Sequence, residues 1–332
     1  MLLASVQPER ARQITNSFVG AHVLVIGDAM LDKFVVGRVT RLSPEAPVPV
    51  VAFDHELHRM GGSANVANNV AALGGSATLV AVTGTDEGAA TLTRACREAG
   101  IAPALVGDPT RLTTTKVRVV TERNQQVARI DYEVDAEIRD EIEHRVIAEI
   151  QKHARHTSAI VISDYLKGCI TRAVVKAAVA AAAEQNVPVL VDPKIPHVDY
   201  YSGTTVVTPN HHEAEIAANM RVRSEDDARR AARLFRERAQ CQSVLMTRGD
   251  QGMWLLADGV EAHLPAAARE VADVTGAGDT VIATLALAMA AGATIPEAAR
   301  LANEAAGIAV ARFGPATVGV TELLKAIDAA AV

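Results

Sequence analysis

The sequence predicts an α/β protein in which a mainly parallel sheet is flanked by helices and joined by a small β lid. Three observations carry this. Val23-Leu-Val-Ile-Gly27 is a short apolar run that stops on a glycine, as the first strand of an open α/β sheet often does. After it, short β-branched runs alternate with alanine-rich amphipathic segments, the pattern of right-handed crossovers between parallel strands. Two β-rich pieces stand outside that alternation, and one of them carries prolines that disfavour a central strand.

In chain order, the stretch from Val35 to Asp54 is rich in β-branched residues and interrupted by Pro44, Pro47 and Pro49, so it reads as edge or lid strands. A helix over Ala64–Leu73, a strand over Ala77–Val82 and a helix over Gly88–Ala99 follow. The second β-rich piece, Thr113 to Thr121, reaches Asn124 and returns through Gln125 to Tyr132. The two pieces, about 35–54 and 113–132, can pair into a small sheet separate from the main one. Strands are then expected at Ala159–Ile162, Val187–Val191, Thr205–Thr208 and Ser243–Thr247. The alanines at 177–183 form a sound helix, because alanine has the best helix propensity. A further helix is expected from Thr280 to Ala291. No repeat or linker interrupts the chain, so residues 1–332 are expected to form a single unit.

Composition narrows the function classes. The 332 residues carry 33 Lys and Arg against 39 Asp and Glu, a formal net charge of −6, which gives no bulk attraction to nucleic acid or to an anionic membrane. Aromatic residues are only 3% of the chain, too few for base-stacking platforms. Its most apolar late stretch, Val281 to Ile295, has 15 residues and contains Gly292 and two threonines, too short to span a bilayer. The N-terminus meets Glu9 and Arg10 before an apolar signal region develops. Cys96, Cys169 and Cys241 lie far apart, without zinc-site spacing or the even count of a disulfide framework, which fits a reducing cytoplasm.

Asp273-Val-Thr-Gly-Ala-Gly-Asp279, running into a helix, is the most informative string. Small residues there let several N–H groups at a helix N-terminus point at one spot, which with the helix dipole makes an anion hole. Asp279 in that first turn reads either as a residue favouring the helix start or as a general base beside a phosphate-stabilising hole, and position alone does not decide. Gly61-Gly62-Ser63-Ala64-Asn65 lets the main chain approach a polar ligand closely, with Asn65 offering a donor and an acceptor; it also reads as an ordinary loop before a helix. Gly27-Asp28-Ala-Met-Leu-Asp32 places two carboxylates at the carboxyl end of the first strand, where open α/β sheets bind ligands. The pair His211-His212 lacks a third metal ligand and reads as structural or solvent-facing.

These strings, in this order and with an Asn-x-x-Glu at Asn210 and Glu213, resemble the ribokinase-like (PfkB) family of sugar kinases over nearly the whole chain. The resemblance implies that Asp279 takes the proton from the attacking hydroxyl while the amides of Gly276, Ala277 and Gly278 hold the transferring phosphoryl charge. It implies that Asp32, Gly61, Gly62 and Asn65 bind the sugar. Asn210 and Glu213 would organise Mg²⁺ through water together with the ATP phosphates, which agrees with the preference of magnesium for oxygen ligands and retained waters. Thr247, Arg248 and Gly249, with Asn303 and Gly307 on a late helix, would form the nucleotide pocket. Some relatives use K⁺, here near Asp273 and Thr275, and many dimerise through their lid strands.

Arg41 to Val50, Ser163-Asp-Tyr-Leu-Lys-Gly168, Asp192-Pro-Lys194 and Val274 to Ile282 resemble one branch in particular, the D-glycero-β-D-manno-heptose 7-phosphate 1-kinases of lipopolysaccharide core synthesis. That resemblance adds Asp164 to the substrate-binding residues and implies ATP-dependent phosphorylation at C1 to give the 1,7-bisphosphate. Many members of the branch carry an adenylyltransferase domain after the kinase. The present sequence has no His-x-Gly-His, so that activity is expected on a separate polypeptide.

A substrate that already carries a phosphate needs fixed positive charge. Lys116 and Arg118 are two apart on a strand and share a face, which is also what a solvated strand face looks like. Lys194 follows a buried strand at the ligand edge of the sheet and is the better phosphate contact, toward either sugar or nucleotide. A kinase of the same fold acting on another sugar phosphate or a nucleoside, and a sugar-binding relative without catalysis, are the competing readings. A dinucleotide-binding oxidoreductase is disfavoured because Gly27 to Asp32 is not Gly-x-Gly-x-x-Gly.

Overall fold

A computed structural model describes residues 2–123, 125–267, 270–312 and 314–330. Asn124, where the sequence places a turn, and the final Val332 lie outside the described residues. Helix α1 (Pro8–Asn16) leads to β1 (His22–Gly27), the long strands β2 (Ala29–Leu42) and β3 (Pro49–Gly62), then α2 (Ser63–Ala72), β4 (Ser76–Thr83), α3 (Glu87–Glu98) and β5 (Ala102–Gly107). Strands β6 (Thr115–Thr121) and β7 (Gln126–Tyr132) precede α4 (Asp140–Ala154), β8 (Ala159–Ser163), α5 (Arg172–Gln185), β9 (Val189–Asp192), β10 (Val206–Val207), α6 (His211–Ala218) and α7 (Glu225–Ala239). The remaining elements are β11 (Ser243–Thr247), β12 (Met253–Ala257), β13 (Val260–Leu264), α8 (Ala277–Ala290), α9 (Ile295–Ala309) and α10 (Val320–Ala330).

The main sheet has nine strands in the order β13-β12-β11-β10-β9-β8-β1-β4-β5, parallel from β11 to β5 and antiparallel over β11-β12-β13. Because side chains alternate across a strand, Val23 and Val25 of β1 enter the core on one face with α2, α8 and α9, whereas Leu24 and Ile26 enter the core on the other with α4, α5 and α7. All four are fully buried. This explains why β1 reads as a continuous apolar run: both of its faces are covered.

The lid is a four-stranded sheet, β3-β2-β6-β7, with β2 and β6 parallel and the outer pairs antiparallel. The expected small separate sheet is present, with two differences. β2 starts at Ala29 rather than Val35 and β3 runs to Gly62 rather than Asp54, so that only Asp28 separates the central strand from the lid. β2 is also an inner strand of the lid, because Pro44 and Pro47 lie in the connection and Pro49 is the first residue of β3, where a missing N–H is tolerated. Helix α8 begins at Ala277 rather than Thr280, β10 is only two residues long, and β5, β12 and β13 complete the sheet. Among the described residues, no helix is long and apolar enough to cross a membrane.

Candidate active site

The carboxyl ends of β1, β8 and β9 are in register, Gly27 beside Ser163 and Ser163 beside Asp192. The N-termini of α2 and α8 meet at this edge of the sheet. Gly62 opens α2 with φ +57°, and a Cβ there would lie 2.3 Å from the Asp28 carbonyl oxygen, so no other residue fits. Gly276 opens α8 with φ +79°, and its Cβ would come within 3.0 Å of Asn65 Nδ2.

Asp279 is the third residue of α8 and only 4% exposed. Asn65 Nδ2 donates to its Oδ2 at 2.7 Å, and the Tyr165 hydroxyl donates to its Oδ1 at 2.7 Å. Asn69 steadies both helices: its Nδ2 donates to the Asn65 carbonyl at 2.9 Å, and its Oδ1 accepts from Thr280 Oγ1 at 3.1 Å. Burial pushes the Asp279 carboxyl up to about 6; the Asn65 and Tyr165 hydrogen bonds pull against this, Asp32 adds to it, and Lys194 opposes it. The amides around it are less uniform than the sequence implies. Ala277 donates its N–H to the Val274 carbonyl at 3.2 Å, closing a turn, and is therefore not free for a ligand. The N–H groups of Gly276, Gly278 and Asp279 meet no protein acceptor among the described residues, and a Cβ on Gly278 would face open space.

On the lid side, Asp32 is 5% exposed and accepts a hydrogen bond from Arg118, whose guanidinium lies over the Phe34 ring, 5.4 Å from its centre. Gly61 lacks a side chain where one is needed least: a Cβ would sit 2.7 Å from Asp32 Oδ2. Lys116 lies beside Asp32 in the β2–β6 register and reaches Asp131 at 3.7 Å and Glu133 at 3.5 Å. Asp32, Gly61, Gly62, Asn65, Arg118 and Asp279 thus gather at one edge of the sheet.

Two other carboxylates of the sequence motifs point elsewhere. Asp28 is buried and accepts three backbone N–H groups, from Tyr165 at 2.8 Å, Lys167 at 3.1 Å and Cys169 at 2.9 Å. Asp164, expected to bind substrate, is fully buried; its Oδ1 accepts from Leu166 N–H at 2.9 Å, while its Oδ2 meets Tyr201 OH and His197 Nδ1, each at 2.7 Å. It is therefore a loop anchor in this structure, surrounded by protein donors. What these anchors hold in place is Tyr165, which lies inside a quoted motif but was not among the expected site residues.

Asn210 caps α6: its Oδ1 accepts from Glu213 N–H at 2.9 Å, and Glu213 Oε2 accepts from Asn210 N–H at 2.9 Å. Glu213 Oε1 accepts from Lys194 Nζ at 2.6 Å. Lys194 is raised: burial lowers it, and Asp192 and Glu213 outweigh that. Asp192, at the end of β9, is driven up to about 8 by burial, with Lys194 opposing and Glu213, Asp279 and Asp164 adding. Both Glu213 oxygens already have a protein donor, and among the described residues no cluster of three acidic, His or Cys side chains could hold a metal directly. This donor set fits Mg²⁺ held through its waters, and not a closed protein cage. Thr247 bridges Asn210, the buried Arg248 bonds Gln251, and Gly249 adopts φ +58°. Asn303 Nδ2 donates to the Pro265 carbonyl at 2.9 Å, beside the Arg248–Gly252 turn, and Gly307 lies one turn further along α9. The His211 and His212 rings touch at a tilt, 39° between their planes and 3.9 Å between centres, and the His212 side chain is exposed.

Comparison with known proteins agrees with this architecture. The sequence profile described as "pfkB family carbohydrate kinase" matches residues 21–322. The chain is 44% identical over 316 residues to "Bifunctional protein HldE" of Pelobacter propionicus, covering 95% of this chain and 64% of that protein. It is 44% identical over 305 residues to "D-beta-D-heptose 7-phosphate kinase" of Bordetella bronchiseptica, covering 91% of this chain and 95% of that protein. The chain thus spans less than two thirds of the bifunctional relative. Its fold is that of phosphofructokinase-2 from Escherichia coli in complex with potassium (TM-score 0.78, 18% identity, 94% of this chain and 99% of that one) and of Arabidopsis thaliana ribokinase complexed with ribose and ATP (TM-score 0.70, 21% identity, 92% and 98%). On the family match over residues 21–322 and the near full-length relative, this chain belongs to the pfkB family of carbohydrate kinases, phosphotransferases with an alcohol acceptor.

Proposed function

We propose that this chain transfers the terminal phosphoryl group of ATP to the C1 hydroxyl of D-glycero-β-D-manno-heptose 7-phosphate, giving the 1,7-bisphosphate for ADP-heptose and lipopolysaccharide core synthesis. The near full-length likeness to the heptose 7-phosphate kinase carries this reading. Asp279 is the general base; its pKa, raised to about 6, still lies below neutrality, so the carboxylate is ionised at neutral pH and is more basic than an ordinary one. The amides of Gly276, Gly278 and Asp279, at the positive end of α8, face the phosphoryl charge. Asp32, Gly61, Gly62 and Asn65 bind the sugar. Asn210, Glu213, Thr247, Arg248, Gly249, Asn303 and Gly307 bind the nucleotide, with Glu213 holding Mg²⁺ through water; the ion neutralises phosphate charge when bound. K⁺ fits near Asp273, whose Oδ1 already orders the turn through Thr275 N–H at 2.9 Å. The chain works as one kinase unit in the cytoplasm, where its three free, buried cysteines stay reduced, and it dimerises through the lid, whose strands expose Phe53, Leu57, Ile130 and Tyr132. The expected separate adenylyltransferase polypeptide finds no support of its own, because relatives called bifunctional are longer than this chain.

Lys116 and Arg118 share the lid face above Asp32 and are the contacts we assign to the 7-phosphate, while Lys194, held by Glu213, serves the transferring phosphoryl. A coupled ADP-release assay over a panel of sugar phosphates, with the product read by phosphorus NMR, tests the substrate. Lys116→Met and Arg118→Met should each raise KM for heptose 7-phosphate by about tenfold, the low end for one charge-assisted contact, and leave KM for ATP unchanged. Equal turnover of heptose lacking the 7-phosphate would overturn the substrate assignment.

A further inference from the structure

The loop between β8 and α5 is held far more firmly than a connection requires. Asp28 takes three of its N–H groups, Asp164 takes a fourth, and both carboxylates are buried, an arrangement that costs desolvation. Leu166 adopts φ +55°, rare for a residue with a side chain, and Gly168 adopts φ +88° where a Cβ would lie 2.0 Å from the Ala136 carbonyl oxygen. Such strain persists only where the surroundings over-determine it. The one side chain this loop delivers to the site is Tyr165, whose hydroxyl reaches Asp279 Oδ1 and whose ring centre lies 5.6 Å from Lys194 Nζ.

We propose that Tyr165 is a positioning residue for phosphoryl transfer: its hydroxyl, with the Asn65 amide, fixes the rotation of the Asp279 carboxylate and leaves one lone pair on each oxygen for the attacking hydroxyl. This inference rests on Asp279 being the base. A carboxylate gripped by one donor turns about its terminal bond; gripped on both oxygens from two elements, α2 and the β8–α5 loop, it cannot. The same bond favours the ionised carboxylate. The charged groups facing Asp279 are Asp32 from β2, Asp192 at the end of β9 and Lys194 just after it; Tyr165 and Asn65 are the neutral donors.

Tyr165→Phe removes the donor and keeps the ring. We expect kcat/KM for the sugar phosphate to fall roughly tenfold to a hundredfold, the range for losing a hydrogen bond to a charged group. The ionised form loses support, so the acid limb of the kcat/KM profile should move up by about one pH unit. KM for ATP should stay within about twofold, which also reports an intact fold. In the double variant with Asp279→Asn, the tyrosine change should cost less than about twofold, because it acts through a base already removed. Unchanged kcat/KM and acid limb in Tyr165→Phe beside an inactive Asp279→Asn would overturn this inference alone, as would fully additive losses. An active Asp279→Asn variant would overturn the base reading and this inference with it.

Discussion

A carboxylate that must accept a proton needs to be basic, yet it must also be ionised when the substrate arrives. Asp279 meets both demands through opposed surroundings: burial at the head of α8 raises its pKa to about 6, while Asn65, Tyr165 and Lys194 hold it from rising further. With Asp279 as the proposed base, the active form is the ionised one, so kcat/KM should be flat above neutrality and fall about tenfold per pH unit below about 6, as a pH–rate profile would check. Asp279→Asn keeps the size and both neighbours but accepts no proton. Its kcat should fall by about 10²–10⁴, with nucleotide affinity unchanged. Retention of more than about a tenth of wild-type kcat would remove Asp279 from the mechanism. At this scale the motif was legible, because glycines and an aspartate at a helix start form one contiguous string. Tyr165 was not, because its bearing on Asp279 is made by Asp28, which is 137 residues away along the chain.

Between single residues and the whole sheet stands the junction of β1, β2 and the β8–α5 loop. Asp28 is the only residue between β1 and β2, and its carboxylate carries the loop N–H groups. Asp28→Asn puts an NH₂ group where an acceptor is needed and leaves at least one buried N–H unmet. A loss of roughly 2 kcal/mol is expected, seen as a lower urea midpoint at unchanged m value. The variant should also lose activity, since the loop it loosens carries Tyr165; full stability would show that the three hydrogen bonds are dispensable. Element order was readable from periodicity, since β1, β8 and β11 centre on continuous apolar runs, β4 is nearly so, and the alanine-rich segments are helices. β5 was hidden because Ala102-Pro-Ala-Leu carries little β-branched signal, and the start of β2 was hidden because Ala29-Met-Leu has no β preference of its own.

Across the whole molecule, the site concentrates acid groups that folding makes harder to ionise. Asp28 and Asp279 are raised to about 6 and Asp192 to about 8, each chiefly by burial. Unfolded, such groups titrate near 3.9, so between these limits the folded state binds more protons than the unfolded one. Their contribution to stability is therefore fully present below about pH 4 and is lost as pH rises through the folded values. Asp192→Asn should raise Tm relative to wild type at pH 8 and leave the two proteins nearly equal at pH 4; a constant difference across that range would show that Asp192 is not the source. The lid behaves differently, because it grows directly out of the central strand. Taking Asp28 as the pivot, Asp32 lies four positions along β2 and Leu42 fourteen. At about 3.3 Å per residue, a tilt that shifts Asp32 by some amount shifts the tip about 3.5 times as far. The lid is thus a lever with its short arm in the site: a coarse displacement at Leu42 becomes a fine adjustment of Asp32, and whatever grips the tip sets that carboxylate with the leverage of the whole strand.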